Sequence, residues 1–120
     1  MEVNNFLLVG AGGAIGSMLR YGVALATGNR LFPYATFAVN ITGCLIIGIL
    51  LGLTMKSNLS NYGWRFLATG LCGGFTTFSA MSLEGVELLQ QQKYFIFLLY
   101  ILLSITIGLA ATYAGFLIAK

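Results

Sequence analysis

Neutral polar side chains recur at helical spacing in this apolar chain, and they are the residues whose types could do chemistry. Thr36 and Asn40 stand four residues apart, and Tyr100, Ser104 and Gly108 continue at the same interval later in the chain. Side chains four apart share one face of a helix, so each set would form a row. A third group of hydroxyls follows two adjacent glycines and consists of Thr76, Thr77, Ser79 and Ser82.

Hydroxyl and amide groups favour hydrogen bonding to a ligand over proton transfer or nucleophilic catalysis. A proton relay would need carboxylates or histidines, and the 120-residue sequence contains no histidine. Rows of neutral donors suit a path for an ion, particularly an anion that accepts hydrogen bonds. The alternative is that these groups bond neighbouring helices to one another, and the residues alone do not decide between the two interpretations.

The elements that must position these rows are four long apolar segments. Apolar residues make up 58% of the chain and charged residues 8%, and the latter is about a third of the charge usual in a soluble domain. Segments of about 20 apolar residues cross roughly 30 Å of hydrocarbon as helices. We predict an all-α membrane protein with a single transmembrane domain over residues 1–120, whose four helices span 5–26, 33–55, 62–92 and 94–119. This composition excludes soluble enzymes and nucleic-acid-binding proteins.

Glycines are expected to set the packing of these helices and to interrupt the third. Adjacent Gly73 and Gly74 permit a helix to break, and broken backbone at membrane depth needs protein or a cavity to satisfy it. We therefore predict a break at 73–77, which a subunit that merely packs in a larger complex would not need. Close helix approach is predicted at pairs of glycines four apart, namely Gly12 and Gly16, Gly48 and Gly52, and Gly70 and Gly74.

Few ionisable groups fall within the segments. Arg20 lies near the end of the first segment and could reach the membrane interface, whereas Glu84 lies deeper in the third. Glu84 is interpreted as a vestibule charge, a partner for Arg20 or a helix-capping acceptor. Cys44 and Cys72 fall inside apolar segments, where cysteines behave as small apolar residues.

The cations give no bias to the orientation of the chain. Four spans place both termini on one side of the membrane, and that side carries Lys56, Arg65 and Lys120. The opposite side carries Arg20, Arg30 and Lys93. Because the two sides carry equal numbers of cations, the positive-inside rule predicts no preferred orientation. Either the chain inserts in both orientations and forms an antiparallel dimer, or so few charges make the count uninformative.

Three strings in this chain are similar to those of a known family. They cover Gly12–Gly16 with Arg20-Tyr21, then Thr36–Asn40, then Gly70–Ser79. In this order, in a four-span chain, they make the sequence resemble the small bacterial fluoride channels called Fluc or CrcB along nearly its whole length. The resemblance implies a passive channel, not an enzyme, that lets toxic fluoride leave the cytoplasm across the cell membrane.

The resemblance also implies an assembly and a bound ion. Members are dual-topology antiparallel homodimers in the lipid bilayer, with two pores along the subunit interface and a structural sodium ion at the two-fold axis. A mid-span break would meet its own copy there, and the backbone carbonyls of Gly73 and Thr76 from both subunits would converge on the ion. The resemblance selects Na⁺, whereas this geometry alone would not choose it over water.

Individual roles follow from the same resemblance. Asn40 corresponds to the pore asparagine, and Phe78 to the first of two pore phenylalanines. The second would stand at position 81, where this chain has Met81, so altered rate or selectivity is expected. Other residues expected along the fluoride path are Thr36, Ser79, Ser82, Tyr100 and Ser104. Charged positions near the vestibules are matched by Arg20 and Glu84.

Two other classes of membrane protein share part of this pattern. A proton-coupled small multidrug exporter has four spans, this length and an antiparallel dimer, but it should carry a carboxylate in its first span. None stands between Glu2 and Arg20. A membrane subunit without transport activity would account for the spans but not for a broken third helix.

Overall fold

The computed structural model describes residues 2–120, and the regular structure in that range is entirely helical. Four helical stretches are long and apolar enough to cross a membrane, and they cover Glu2–Thr27, Tyr34–Met55, Asn61–Gln90 and Tyr94–Ala119. The first two are α1 and α2. The predicted all-α membrane fold with four spans is confirmed. The largest difference at a helix end is at the start of α1, which lies at Glu2 and not at residue 5.

The third span is a composite of four helical pieces. It consists of α3 (Asn61–Trp64), a π-helix (Arg65–Cys72), α4 (Gly73–Phe75) and α5 (Phe78–Gln90). The fourth span is the continuous helix α6 (Tyr94–Ala119). A π-helix of this length is unusual, because π-geometry mostly occurs as single-turn bulges near functional sites.

The interruption of the third span is confined to Thr76 and Thr77. Thr76 has φ −89° and ψ 158°, and Thr77 has φ −155° and ψ 122°, so both are extended. Gly73 keeps helical angles of φ −61° and ψ −38°. The prediction that the break includes 73–75 was therefore wrong, because both glycines stay helical, and Gly74 serves close packing against Gly13 rather than a change in backbone direction.

The glycines bring the spans together in two tight pairs. Within the first half of the third span, residues 65–75 pack along α1, and α2 packs along α6. A Cβ added at Gly74 would lie 2.9 Å from Gly13 Cα, and one at Gly70 would lie 3.0 Å from Gly12 Cα. The same holds at Gly52, where an added Cβ would lie 2.8 Å from the Cβ of Ala119. The predicted packing role of these glycines is confirmed, since backbone meets backbone with no room for a side chain.

Candidate functional site

The helix break is closed by a side chain from the second span. Thr77 N–H donates to Asn40 Oδ1 at 2.8 Å, and Asn40 Nδ2 donates to Thr77 O at 3.1 Å. One amide thus satisfies both backbone groups of one extended residue, as broken backbone in a membrane requires. The Asn40 amino group has two N–H donors, so one of them is left after the bond to Thr77 O.

Thr77 also starts the helix that follows the break. Its hydroxyl oxygen accepts from Ala80 N at 3.1 Å, which makes it the N-cap of α5. Threonine at this position satisfies an N–H that has no partner inside the helix. Sequence reasoning missed this role of Thr77, although a threonine directly before a helical segment is a typical sequence signal for an N-cap.

Arg20 contacts the same region from the first span. Its Nε donates to Gly74 O at 3.1 Å, so the guanidinium covers a carbonyl just before the break. Arginine at this depth is costly unless it is bonded to protein, and this contact supplies such a bond. Arg20 is therefore not the partner of Glu84 in this structure, and that interpretation of Glu84 was wrong.

A cavity of about 440 Å³ lies beside the break, between α2, the third span and α6. We call it the break cavity, and all of the residues that line it are uncharged. It brings together four residues of the expected fluoride path, namely Asn40, Phe78, Met81 and Ser104. Ser104 Oγ is buried and has no hydrogen-bond partner within the described part of the chain. The cavity therefore offers unused donors in a neutral setting.

The two residues expected to form a phenyl pair lie in different environments. Phe78 is 74% exposed, whereas Met81 is 8% exposed and packs in a buried cluster with Leu88 and Tyr100. In this chain alone, the Phe78 ring therefore faces outward from the protomer. Met81 fills space that belongs to the protein core.

A second polar cluster surrounds Glu84. Thr36 Oγ1 donates to Glu84 Oε2 at 3.0 Å, and Tyr100 OH donates to Glu84 Oε1 at 3.0 Å. Tyr100 is fully buried, so a hydroxyl there needs a partner, and a carboxylate is a strong acceptor. Thr36 and Tyr100, which we expected along the fluoride path, thus donate to Glu84 and do not line the break cavity.

Glu84 also faces a wider cavity of about 560 Å³, which we call the vestibule cavity. The connection between α1 and α2 forms one wall, and charged side chains from it and from the end of the third span line the space, namely Arg30, Glu84, Glu87 and Lys93. Glu84 is therefore both a charge in this vestibule and an acceptor for two buried hydroxyls. Arg20, in contrast, is not among the residues that line it.

The remaining expected path residues are on the outside of the protomer. Ser79 and Ser82 are exposed, and Ser79 Oγ lies 3.1 Å from Thr77 Oγ1. The expected path thus falls into three places, which are the break cavity, the Glu84 cluster and the outer face of α5.

The two carbonyls expected to bind a cation have lost their helical donors. In a continuous helix Thr77 N–H would donate to Gly73 O, but here it donates to Asn40. Ala80 N–H would donate to Thr76 O, but here it donates to the Thr77 hydroxyl. Uncharged carbonyl oxygens suit a hard monovalent cation. The chemistry of these two carbonyl oxygens therefore fits a sodium ion.

Fold and site together define a small multi-pass membrane protein with an uncharged cavity at a helix break. Residues 7–116 match the family described as CrcB-like protein, Camphor Resistance (CrcB), and the chain belongs to this family.

Relatives that are similar over nearly their full length carry one name, "Fluoride-specific ion channel FluC". The protein from Flavobacterium psychrophilum is 50% identical over 116 residues, which cover 93% of this chain and 94% of that protein. The protein from Chlorobium luteolum is 47% identical over 126 aligned residues, covering 100% of this chain and 98% of the relative. The one from Azobacteroides pseudotrichonymphae is 43% identical over 122, covering 98% of each. The resemblance read from the three strings is confirmed.

Proposed function

We propose that this protein is a fluoride-specific ion channel, and not an enzyme, that lets fluoride leave a bacterial cell passively across the inner membrane. The observation that carries the proposal is the uncharged break cavity, where Asn40 keeps a free N–H and Ser104 Oγ has no partner in the described chain. Fluoride holds its water tightly, so a path must replace that water with donors. Neutral donors do so without trapping the ion.

The Glu84 cluster acts as a second point of passage, because Glu84 lines the vestibule cavity and its donor Thr36 stands one helical turn before Asn40. A carboxylate repels an anion, but Glu84 holds two hydroxyl donors, Thr36 and Tyr100, at its oxygens. Fluoride at this point competes with the carboxylate for the same two protons. The hydroxyls are therefore the donors that an anion would recruit when Glu84 turns away.

The decisive experiment is ion efflux from liposomes that contain only this protein. Liposomes loaded with potassium fluoride are diluted into fluoride-free medium with a potassium ionophore, and efflux is followed with a fluoride electrode. Fluoride should leave without ATP or a proton gradient, and chloride-loaded liposomes should stay full. Equal efflux of both anions, or none from well-folded protein, would overturn the proposal.

The assembly is an antiparallel homodimer whose two copies insert in opposite orientations. Support comes from the outer face of the third span, where polar residues are exposed at mid-span, including Thr69, Ser79 and Ser82. Polar groups facing lipid are unfavourable, whereas a second protein surface can bond them. The balance of three cations on each side supports dual insertion.

Forced orientation tests this assembly. Asn58→Lys with Asn61→Lys adds positive charge on the side of the termini, and Asn29→Lys with Gln91→Lys adds it on the opposite side. Each double variant alone should lose fluoride efflux, and coexpression of both should restore it. Full efflux from either one alone would mean a parallel dimer or a monomeric pore.

A structural sodium ion is held at the break by the backbone carbonyls of Gly73 and Thr76 from both copies. The loss of the two helical donors described above supports this ligand set. When bound there, the ion would supply fixed positive charge next to the carbonyls, and the fluoride path would run separately past Asn40 and Phe78. Exhaustive exchange of Na⁺ for N-methyl-D-glucamine should lower fluoride efflux, and readdition should restore it. Efflux that is indifferent to prolonged removal would exclude the ion.

A further inference from the structure

We propose that the break cavity is also a sulfur-lined binding site for a soft monovalent cation such as Ag⁺ or Cu⁺. Cys44 from α2, Cys72 from the π-helix and Met81 from α5 all line the same space of about 440 Å³. Thiolate and thioether sulfurs are the ligands that such cations select over oxygen. Three separate elements thus bring three soft ligands to one cavity.

The sulfurs are chemically available to a ligand. Both cysteines are free thiols. Cys72 is 5% exposed and Met81 is 8% exposed, so neither sulfur is solvated by bulk water. Cys44 Sγ packs against Gly108 of α6, where an added Cβ would lie 3.4 Å from the sulfur in ordinary van der Waals contact.

The charge of the cavity selects a monovalent ion. Binding releases one proton to the buffer as a thiol S–H bond is replaced by a metal–sulfur bond, and no oxidant or reductant is required. One monovalent cation, one thiolate and one thioether together form a neutral complex. Because the residues that line the cavity are uncharged, a neutral complex avoids the cost of a net charge at membrane depth.

This site is chemically distinct from the carbonyls of Gly73 and Thr76, because hard ions prefer oxygen and soft ions prefer sulfur. A cation on the sulfurs would occupy the space beside Asn40 and Phe78. It would therefore obstruct the fluoride path, a consequence that rests on the proposed function, whereas the binding itself does not.

Silver retention tests the site directly. Purified protein in chloride-free nitrate buffer is mixed with silver nitrate and desalted, and silver is counted by mass spectrometry. About one Ag⁺ per protomer should remain. Cys44→Ser combined with Cys72→Ser should retain less than about a tenth of that amount, and Met81→Leu should bind roughly tenfold more weakly. Met55→Leu is the matched control, since Met55 is exposed at the end of α2 and should bind as the native protein does.

Folding and flux are measured on the same samples. A thermal melt of each metal-free variant checks its fold, and a Cys44→Ala, Cys72→Ala double variant replaces any serine variant that aggregates. Silver should stop fluoride efflux of the native protein and leave the double variant at its own metal-free rate. Little silver on the native protein, or equal silver on the double variant, overturns the site. Silver bound without slower efflux overturns the obstruction. A metal-free native protein without efflux refutes the proposed function, and silver retention still decides the site.

Discussion

The two halves of the third span are held in place by different physical means. In the first half, residues 65–75 pack backbone to backbone against α1, with no space for a Cβ at Gly70 or Gly74. In α5 and at the residue before it, polar side chains provide the contacts, from Asn40 to Thr77 and from Thr36 and Tyr100 to Glu84. The first half is fixed mainly by shape, with one hydrogen bond from Arg20 to Gly74 O, whereas side-chain hydrogen bonds tie the second half to its neighbours.

This difference separates support from chemistry within one helix. Close packing of glycines is sensitive to volume but presents no group to an ion, so it can anchor the break without taking part in transport. Hydrogen-bonded side chains exchange partners at low cost when a ligand offers an equivalent bond. Substitutions in the first half should therefore change stability, and substitutions around the second half should change flux.

The largest effect on efflux is expected from Asn40→Asp, which changes the hydrogen bonds that hold the second half of the third span. Aspartate retains an acceptor for Thr77 N–H but loses the donor to Thr77 O, and it places a carboxylate in an uncharged cavity. Fluoride efflux should fall by about 100-fold, equal to about 2.7 kcal/mol in the barrier.

Asn58→Asp is the control for this change. It makes the same replacement on an exposed connection outside the helices and should leave efflux unchanged. Normal efflux in liposomes from Asn40→Asp, with the control also normal, would remove Asn40 from the path.

The converse prediction concerns the packed half. Gly74→Ala would place a Cβ 2.5 Å from Gly13 O and 2.9 Å from Gly13 Cα, so two helix backbones must separate. Overpacking of this kind costs about 1–3 kcal/mol. We expect a lower melting temperature in detergent, while the protein that remains folded conducts.

Gly10→Ala is the matched control on α1, because an added Cβ there meets nothing within 4 Å. Equal stability of the two variants would contradict a structural role for the glycine contact. A Gly74→Ala protein with native stability but no efflux would place this contact in the path and would erase the distinction between the halves.

A smaller effect is expected from Tyr100→Phe, which removes one donor to Glu84 and keeps the ring. Hydrogen bonds to charged groups contribute about 1.5–3 kcal/mol, and Tyr100 is fully buried, so no water replaces the hydroxyl. Efflux should fall by about tenfold, because the Tyr100 hydroxyl is also the proposed hydrogen-bond donor to fluoride. Tyr113→Phe, at an exposed position of the same helix, should conduct like the native protein. Loss of stability with native efflux would leave the hydroxyl a purely structural role.

Much of this division could be predicted from the sequence, because it rests on local spacing. The four spans follow from the length of uncharged segments, and the glycine pairs follow from their four-residue interval. That Thr36 and Asn40 share a face of one helix follows from the same periodicity, and in the structure both face the third span.

The rest depends on contacts between distant residues. The position of the break could not be predicted, since glycine permits both a bend and a close approach, and only the neighbour at Gly13 decides which occurs. The sequence leaves three interpretations of Glu84 open, because its hydrogen-bond partners Thr36 and Tyr100 are 48 and 16 residues away in the sequence. The hydrogen bond from Arg20 to Gly74 O also could not be predicted, because the two residues are 54 positions apart in the sequence.

The smallest effect is expected at Met81, which lies where the two kinds of contact meet. It lines the break cavity and yet is 8% exposed and packed against Leu88 and Tyr100, so it is held by shape although it adjoins the path. Met81→Phe replaces a flexible thioether by a somewhat larger ring, and overpacking of this kind costs about 1–3 kcal/mol of stability. Efflux of fluoride should stay within about twofold of native, with chloride still rejected.

Phe78→Ile provides the contrast, because it removes a ring that is 74% exposed and contributes little to the core of the protomer. That change should reduce efflux severely with little loss of protomer stability. If Met81→Phe abolished efflux and Phe78→Ile did not, the side chain at position 81 would be the one that contacts the ion, and the phenyl at position 78 would serve only the contact with a second copy.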